Sequence, residues 1–169
     1  MVLDAPRRAS EVKPGKCRHV KRGGEGGPLF RRPFSVFRRV PLKGDHLGIE
    51  IVYRVIGTGT RVMTGLRRGD TLDILGPLGH GFELDRSKSV QVVVAGGTGA
   101  ACLFLLSEEI SRAGLSLKVL LGADTKSSVL LKKEYAALNG EVMVSTDDGT
   151  FGFHGFVTQM LDQAFHEGK

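Results

Sequence analysis

The sequence has 169 residues, 41% of them hydrophobic and 25% charged, which is enough for one ordinary domain or two small ones. This composition is that of a globular protein, and no apolar run approaches the roughly 20 residues that a membrane-spanning helix needs. Because the N-terminus also lacks the apolar core of a signal peptide, we expect a cytoplasmic protein with no membrane partner.

Positive charge is concentrated at the beginning of the chain. Residues 1–40 contain 11 Lys and Arg against 3 Asp and Glu, whereas residues 41–169 contain 13 against 15. A basic segment of this kind attracts nucleic acid, an acidic protein or a phosphate-bearing cofactor, and it is equally typical of a solvated arm. Charge alone does not choose among these alternatives.

The first half of the sequence predicts short β-strands separated by loops and turns. Candidate strands lie at 33–38 and at 47–56, where apolar residues alternate with others. A turn at 57–60 leads into a short helical stretch, and a further strand is predicted at 70–75. We therefore predict a β domain over residues 1–85.

From about residue 88 the pattern changes to strands that alternate with helices. The predicted elements are strands at 90–95, 117–122 and 141–145 and helices at 100–113, 127–138 and 155–167. The near-continuous apolar run of the first strand is typical of a strand buried on both faces. Phe156, Met160 and Phe165 are expected near one face of the last helix. This alternation predicts a doubly wound parallel sheet over residues 86–169.

Three glycines follow the first strand of the α/β part. Gly96, Gly97 and Gly99 let the backbone turn sharply and approach a ligand, and the helix after them offers unpaired N–H groups to a pyrophosphate. The fingerprint G-x-G-x-x-G is not met, because Cys102 lies three residues after Gly99. A tight strand-to-helix turn needs such glycines too, so the local sequence leaves nucleotide binding open.

The segment from Arg31 to Ser35 combines cations, an aromatic ring and a hydroxyl. An arginine pairs with phosphate through its planar fork, and Phe34 offers a flat apolar face. Such a set suits a ligand with both a phosphate and a flat ring, although a solvated arginine pair is the more common explanation. Gly59 and Thr60 are further candidate phosphate contacts at a helix start, and Thr60 is equally well explained as the helix N-cap.

Other possible sites are weaker. Asp147 and Asp148 follow the third strand of the α/β part, where ligands of such sheets bind, and are candidates for ribose hydroxyls. No further ligands cluster near them, and the five histidines have no ligand spacing, so no metal site is predicted. Cys17 and Cys102 are too few for a disulfide framework or a four-cysteine iron–sulfur site.

The order of these motifs resembles a known family. Arg-Pro-Phe-Ser, Val-Tyr-Arg, Gly-Thr, GPLGHGF, GGTG and STDDGTFGFHGFVTQML follow one another as in the electron-transfer subunits of two-component dihydroorotate dehydrogenases. Sulfide dehydrogenase and NADPH–ferredoxin reductase subunits share much of the pattern. The resemblance implies a ferredoxin reductase-like fold, in which an FAD-binding antiparallel β-barrel over 1–85 precedes a parallel-sheet NAD-binding α/β domain over 86–169.

The resemblance also implies which residues hold the cofactors. The flavin-binding strand is matched by Arg32, Pro33, Phe34 and Ser35, further flavin contacts by Val52, Tyr53, Arg54, Gly59 and Thr60, and the nicotinamide-side loop by Gly96, Gly97 and Gly99. Ser35 is expected nearest the reactive flavin nitrogen, as a hydrogen-bond partner rather than an acid or base. No catalytic residue is predicted, because the cofactors carry the chemistry.

The implied function is FAD-dependent electron transfer from NAD(H) or NADP(H) to a partner flavoprotein. That partner would be a dihydroorotate dehydrogenase catalytic subunit of pyrimidine biosynthesis, in a hetero-oligomer. Compared with the family, we expect a chain truncated at both ends, with a partial barrel and a partial α/β domain. The cysteine-rich segment that carries the family's [2Fe-2S] cluster is missing, so no cluster is predicted in this chain.

Two departures from the family pattern leave room for other functions. Cys102 stands where the family usually has proline, and a charged run at 17–22 replaces an apolar strand, so the barrel is expected to close poorly. The alternatives are a subunit of the sulfide dehydrogenase type and a non-catalytic interaction fragment that has lost its cofactors. A third is a basic single-strand nucleic-acid binder, disfavoured because the chain has no Trp and only two Tyr for stacking.

Overall fold

The chain divides into two compact units. The computed structural model describes residues 1–5, 9–24, 30–44 and 46–166. Unit 1 is Met1–Phe82 and unit 2 is Glu83–Lys169. Within the described ranges, no helix has the length and hydrophobicity needed to cross a membrane.

Unit 1 contains two antiparallel sheets of three strands each. The strands are β1 (Val2–Asp4), β2 (Cys17–Arg22), β3 (Arg32–Ser35), β4 (Arg38–Pro41), β5 (Leu47–Glu50) and β6 (Leu72–Leu78). The strand orders are β1-β5-β4 and β3-β2-β6. The predicted strand at 33–38 is divided between β3 and β4, because Val36 and Phe37 leave one sheet for the other and are buried at that step.

The charged run at 17–22 forms β2, the middle strand of its sheet. It pairs with β3 on one side and β6 on the other. The charged residues therefore still form a fully paired strand. Arg18 and Val20 point to the interior and are each 1% exposed. A Cβ at Gly76 would lie 2.9 Å from Cδ of Arg18, so the glycine leaves room for the buried arginine.

The predicted strand at 47–56 ends early, at Glu50. The ladders with β1 and β4 end at that point, where Val2 and Arg38 both pair with Glu50. The predicted apolar face is therefore only partly buried: Ile49 is fully buried, whereas Val55 is 48% exposed. Helix α1 (Thr58–Thr64) follows, as predicted.

Unit 2 is a parallel α/β sheet with alternating elements, as predicted. Its elements are β7 (Val90–Gly96), α2 (Gly99–Arg112), β8 (Ser116–Ala123), α3 (Lys132–Ala136), β9 (Glu141–Thr146), β10 (Phe153–His154) and α4 (Val157–His166). The order is β10-β9-β8-β7, and every pair is parallel. The interior strand β8 carries much of the core, including the buried Val119 and Leu120.

Three details of unit 2 differ from the predictions. The helix predicted at 127–138 is a 3₁₀ turn followed by the short α3, because Leu131 has a left-handed φ of 61°. Phe156 precedes α4 and is 60% exposed, so it does not share a buried face with Met160. The side chain of Phe165 lies outside the described residues.

Strand β7 also differs from its prediction. It is the outermost strand of its sheet, and Val90 and Val92 are 47% and 39% exposed. The prediction that this strand is buried on both faces is therefore wrong for the described residues.

Candidate functional site

Two of the predicted flavin-binding segments meet through a pair of aromatic rings. Phe34 of β3 and Tyr53 lie edge to face, with ring centroids 5.7 Å apart. Phe34 belongs to the apolar core of unit 1 with Val20, Ile51 and Met63, and is only 9% exposed. Tyr53 packs against this core while remaining half-buried, and burial raises the pKa of its phenol. Tyr53 is thus the more accessible of the two rings.

The third predicted flavin-binding segment, at the start of α1, lies beside Arg32. The side chain of Arg32 runs alongside Gly59 of α1, where a Cβ would lie 3.4 Å from Cγ and 3.5 Å from Nε of the arginine. Nη1 of Arg32 donates a hydrogen bond to the carbonyl of Phe30 at 3.1 Å. Arg31 pairs with Asp73, whereas Arg32 is exposed and has no ion pair among the described residues. Arg32 is therefore the arginine available to an external anion.

Thr60 holds the turn that leads into α1. Its Oγ1 accepts hydrogen bonds from the N–H groups of Ile56 and Gly57 at 3.0 and 3.2 Å, and donates to the carbonyl of Gly57 at 3.1 Å. The N-cap is Gly57, so the alternative that Thr60 is the cap is wrong. Because the hydroxyl is engaged internally, it shapes the turn that sets Gly59 beside Arg32.

The remaining predicted flavin residues lie on the same two segments. Ser35 is half-buried at the end of β3 and faces Cys17 across the ladder with β2. Pro33 is exposed on β3, and Val52 and Arg54 flank Tyr53, Val52 half-buried and Arg54 exposed. The structure therefore brings β3, the segment after β5 and α1 together within unit 1. Flavin binding by these residues stays a prediction.

In unit 2 the predicted glycines form an open turn. Gly96 ends β7, and Gly97 has a φ of 51° and donates its N–H to the carbonyl of Gly122 at 3.1 Å. Apart from the adjoining residues and the backbone of α2 itself, no described atom lies within 4 Å of the position that a Cβ would take at Gly97 or Gly99. A tight turn explains Gly97 through its φ, but Gly99 is helical and any residue adopts that conformation. The missing side chain of Gly99 therefore leaves open space at the start of α2.

The two aspartates after β9 have different surroundings. Oδ1 of Asp148 accepts hydrogen bonds from the N–H and the Oγ1 of Thr150, at 3.0 and 2.7 Å, and these bonds lower the pKa of Asp148. Asp147 donates its N–H to the carbonyl of Ala123, while its exposed carboxylate makes no hydrogen bond to a described residue. Asp148 therefore orders its own loop, and Asp147 remains the candidate for a ribose hydroxyl.

A cationic cluster lies beside these aspartates, and sequence reasoning named Lys126 as a cation near the nucleotide end but missed its contact with Phe151. Nζ of Lys132 and Nζ of Lys126 lie 4.6 and 5.5 Å from the ring centroid of Phe151. The N–H of Lys126 donates to Oγ1 of Thr150 at 2.9 Å, which joins the loop after β8 to the loop after β9. No local sequence pattern connects these loops, since only the parallel pairing of β8 with β9 brings them together.

Buried contacts support the start of α2. The hydroxyl of Tyr135 in α3 donates to the carbonyl of Ala100 at 2.6 Å, and its ring lies edge to face with Phe104 at 5.1 Å. Tyr135 is fully buried, and this burial raises the pKa of its phenol. The glycine turn is therefore followed by a helix whose first turn is fixed from within the unit.

Several curated relatives of the chain share one name, although no family model matches it. The chain is 37% identical over 161 residues to the dihydroorotate dehydrogenase B (NAD(+)) electron transfer subunit of Desulforamulus reducens, in a match that takes in 95% of this chain and 60% of that relative. The subunits of the same name from Geobacillus thermodenitrificans and Bacillus caldolyticus are 37% and 38% identical, over 89% of this chain and 58% of each relative.

Solved structures define the class of fold. An NADH-dependent reduced ferredoxin–NADP oxidoreductase matches with a TM-score of 0.80 and 29% identity, over 98% of this chain and 58% of that one. The cytochrome b5 reductase domain of Ulva prolifera nitrate reductase has the same fold at 18% identity, with a TM-score of 0.65 over 86% of this chain and 66% of its own.

The chain therefore has the ferredoxin reductase-like fold, which confirms the predicted fold class. Within this class it is a homologue of the electron transfer subunits of dihydroorotate dehydrogenase B, which confirms the predicted resemblance. It spans about 60% of the length of these curated relatives.

Proposed function

We propose that this chain binds FAD in unit 1 and a nicotinamide nucleotide in unit 2, and transfers electrons towards a dihydroorotate dehydrogenase catalytic subunit in pyrimidine biosynthesis. The names of the relatives support this assignment, and their greater length makes the activity of the whole protein a proposal for this chain. The observation that carries it is the meeting of three distant segments, through Phe34 on Tyr53 and Arg32 along Gly59.

The residues of unit 1 fit FAD. Arg32 is an exposed guanidinium without an ion pair among the described residues, which suits the pyrophosphate. Tyr53 offers an accessible ring edge or face to the flavin, and Ser35 a small hydroxyl for a ring nitrogen. Bound FAD supplies the redox chemistry, taking a hydride from the nicotinamide and passing on single electrons, while these side chains bind and orient it.

The residues of unit 2 fit a nicotinamide dinucleotide. Gly97 and Gly99 leave open space at the carboxyl end of β7, where ligands of such sheets bind. The N-terminus of α2 suits a pyrophosphate, and Asp147 has an exposed carboxylate for a ribose hydroxyl. Because the relatives are named for NAD(+), we favour NADH over NADPH. The cytoplasmic location stays a prediction.

An iron–sulfur cluster does not fit the residues of this chain. The sequence has two cysteines, Cys17 in β2 and Cys102 in α2, whereas a cluster takes four protein ligands. No group of three His, Cys, Asp or Glu able to hold a metal occurs in the described part of the chain. We therefore assign no step of the transfer to a cluster held by these residues.

An anaerobic reduction experiment tests the proposal. The protein is loaded with FAD, freed of unbound cofactor by gel filtration and mixed with NADH, and the flavin absorption is followed in a stopped-flow instrument. We expect rapid bleaching, and reoxidation when the D. reducens catalytic subunit and orotate are added. Retained FAD that NADH does not bleach would contradict the role of unit 2, and a colourless protein after gel filtration would contradict the role of unit 1.

A further inference from the structure

The two adjacent arginines at the start of β3 lie on opposite faces of their sheet. Side chains alternate along an extended chain, so Arg31 and Arg32 point to opposite sides. Val20 pairs with Arg32 across the ladder and is 1% exposed, so Arg32 lies on the interior face. There its side chain runs alongside Gly59 of α1. Arg31 therefore lies on the outer face of the sheet.

A carboxylate two strands away holds Arg31 on this outer face. In the order β3-β2-β6, Asp73 belongs to β6 and pairs with Lys21 of the middle strand. Nη2 of Arg31 reaches across β2 to Oδ2 of Asp73, and Nζ of Lys21 lies 3.8 Å from the same oxygen. Because neighbouring strands are about 4.8 Å apart, the ion pair of Arg31 spans roughly 10 Å of sheet. It ties the beginning of β3 to a strand that is not its neighbour.

The ion pair also supports the register of β3. The ladder between β3 and β2 has four residue pairs, so few contacts hold it. A slip of one residue would turn every side chain of β3 to the other face, which would bring Arg31 towards α1 and take Arg32 away. Asp73 lies on the outer face with Lys21, so its ion pair with Arg31 opposes this slip.

The guanidinium of Arg32 depends on the same segment of backbone. Its Nη1 donates hydrogen bonds to the carbonyls of Phe30 and Arg31, at 3.1 and 3.4 Å. Its Nε and Nη2 make no hydrogen bond to a described residue and remain for a ligand. A displacement of Arg31 would therefore move the carbonyls on which the guanidinium of Arg32 rests.

Asp73 is the anchor of the Arg31 side chain among the described residues. Nε of Arg31 is buried and makes no hydrogen bond to any of them. The side chains of Arg31 and Asp73 are 35% and 38% exposed, so the ion pair is partly shielded from solvent. Removing one partner of a shielded pair leaves the other uncompensated. Loss of the carboxylate would therefore release Arg31 from the outer face.

We propose that Asp73 is a positioning residue for the pyrophosphate of FAD. It holds Arg31 on the outer face and thereby keeps Arg32 beside α1, as the arginine that meets the phosphates. This role rests on the proposed binding of FAD in unit 1. A carboxylate by itself repels an anion, so an effect through charge alone and an effect through the position of Arg32 predict changes of opposite sign in FAD affinity.

Titrations of Asp73→Asn with FAD and with riboflavin, followed by flavin fluorescence, test the proposal. The substitution keeps the shape of the side chain and removes its charge. We expect FAD to bind about fivefold more weakly than to the unmodified protein. Riboflavin, which has no phosphate, should stay within about twofold of its original affinity. Urea denaturation checks that the variant is folded under the conditions of the titrations.

Two further variants show whether Asp73 acts through Arg31. Lys21→Ala is the matched control, because it removes the longer ion pair to the same carboxylate and should change FAD affinity less than about twofold. Arg31→Ala should weaken FAD binding as Asp73→Asn does. The two substitutions together should weaken it no further than either one alone, because residues that act as one unit are not additive.

Three outcomes would overturn the proposal. The first is FAD affinity in Asp73→Asn that equals or exceeds that of the unmodified protein, which would leave charge as the dominant effect. The second is an equal loss of FAD and riboflavin affinity, which would indicate a general structural role. The third is additive losses in the double variant, which would separate Asp73 from Arg31. Failure of the unmodified protein to bind FAD is a different result, because it contradicts the proposed function and this role with it.

Discussion

The two candidate cofactor regions are built in different ways. In unit 1 the region is made of side chains that also hold the unit together, since Phe34 belongs to the core and Thr60 fastens a turn. In unit 2 it is made of backbone, and Gly99 leaves open space that no internal contact requires. The comparison teaches that substitutions in unit 1 need matched controls for folding, whereas in unit 2 binding and folding can be separated at one residue.

The largest expected effect is on the phosphate end of the unit 1 site. Arg32→Ala removes the exposed guanidinium, and charge-assisted hydrogen bonds are worth about 1.5–3 kcal/mol, so we expect FAD to bind about ten- to a hundredfold more weakly. Titration of flavin fluorescence measures this change. Arg68→Ala, at an exposed arginine in the loop after α1, is the control and should bind FAD normally. Equal losses in both variants would show that only general positive charge matters.

The next effect separates binding from folding in unit 2. Gly99→Ala adds a methyl group into open space, so NADH should bind about tenfold more weakly, which is about 1.4 kcal/mol, while stability is kept. Gly97→Ala places a side chain at a φ of 51° and should cost about 1–2 kcal/mol of unfolding free energy. Calorimetric titration with NADH and urea denaturation measure the two quantities. Unchanged NADH affinity in Gly99→Ala would remove the main evidence for this site.

A smaller effect is expected where α1 approaches β3. A Cβ at Gly59 would lie 3.4 Å from Cγ of Arg32, so Gly59→Ala should displace the arginine and weaken FAD binding about threefold, or about 0.6 kcal/mol. Gly57→Ala, in the same turn but with no atom within 4 Å, is the matched control. The same fluorescence titration compares the two variants. Identical affinities for FAD would contradict the claim that the position of Arg32 contributes to FAD binding.

An effect of another kind is expected on stability at alkaline pH. Burial raises the pKa of Tyr135 above the value of about 10 for an unfolded tyrosine, so the folded protein keeps this proton while the unfolded chain loses it. The unfolding free energy should therefore fall above about pH 10, by up to about 1.4 kcal/mol per pH unit. Tyr135→Phe should flatten this fall, although it loses the hydrogen bond to Ala100. Urea denaturation between pH 9 and 11, roughly one unit on either side of the unfolded pKa, measures it.

A matched variant in unit 1 sharpens the pH comparison. Tyr53 is the other tyrosine of the chain and is only half-buried, with its pKa raised by the same cause. Tyr53→Phe should therefore flatten the alkaline fall less than Tyr135→Phe does. The reverse order would contradict the assignment of the effect to Tyr135.

The sequence predicted elements well where local pattern determines them. Helix α2 and strands β7, β8 and β9 follow from apolar runs and a glycine turn, and all occur close to the predicted positions. The strand at 47–56 was predicted too long because its length depends on where β1 and β4 end. β10 has two residues, too few for any periodicity. These errors arise from tertiary pairing that local sequence does not encode.

The same limit applies to the candidate site. The residue types were found from motifs, but Arg31 and Arg32 are adjacent and chemically identical in the sequence. The resemblance selected Arg32, and the ion pair of Arg31 with Asp73, 42 residues further along the chain, is what leaves Arg32 as the available cation of the two. The contact of Lys126 with Phe151 was missed for a similar reason, because the two residues belong to different loops.

Calorimetric titration of the unmodified protein with FAD and, separately, with riboflavin tests the central claim most directly. Riboflavin has the flavin ring but no phosphate, so it has no anionic group that could pair with the Arg32 guanidinium. The account predicts one FAD per chain, bound at least about tenfold more tightly than riboflavin. Equal affinity for the two ligands, or no binding of FAD, would contradict the assignment of unit 1 as a flavin site.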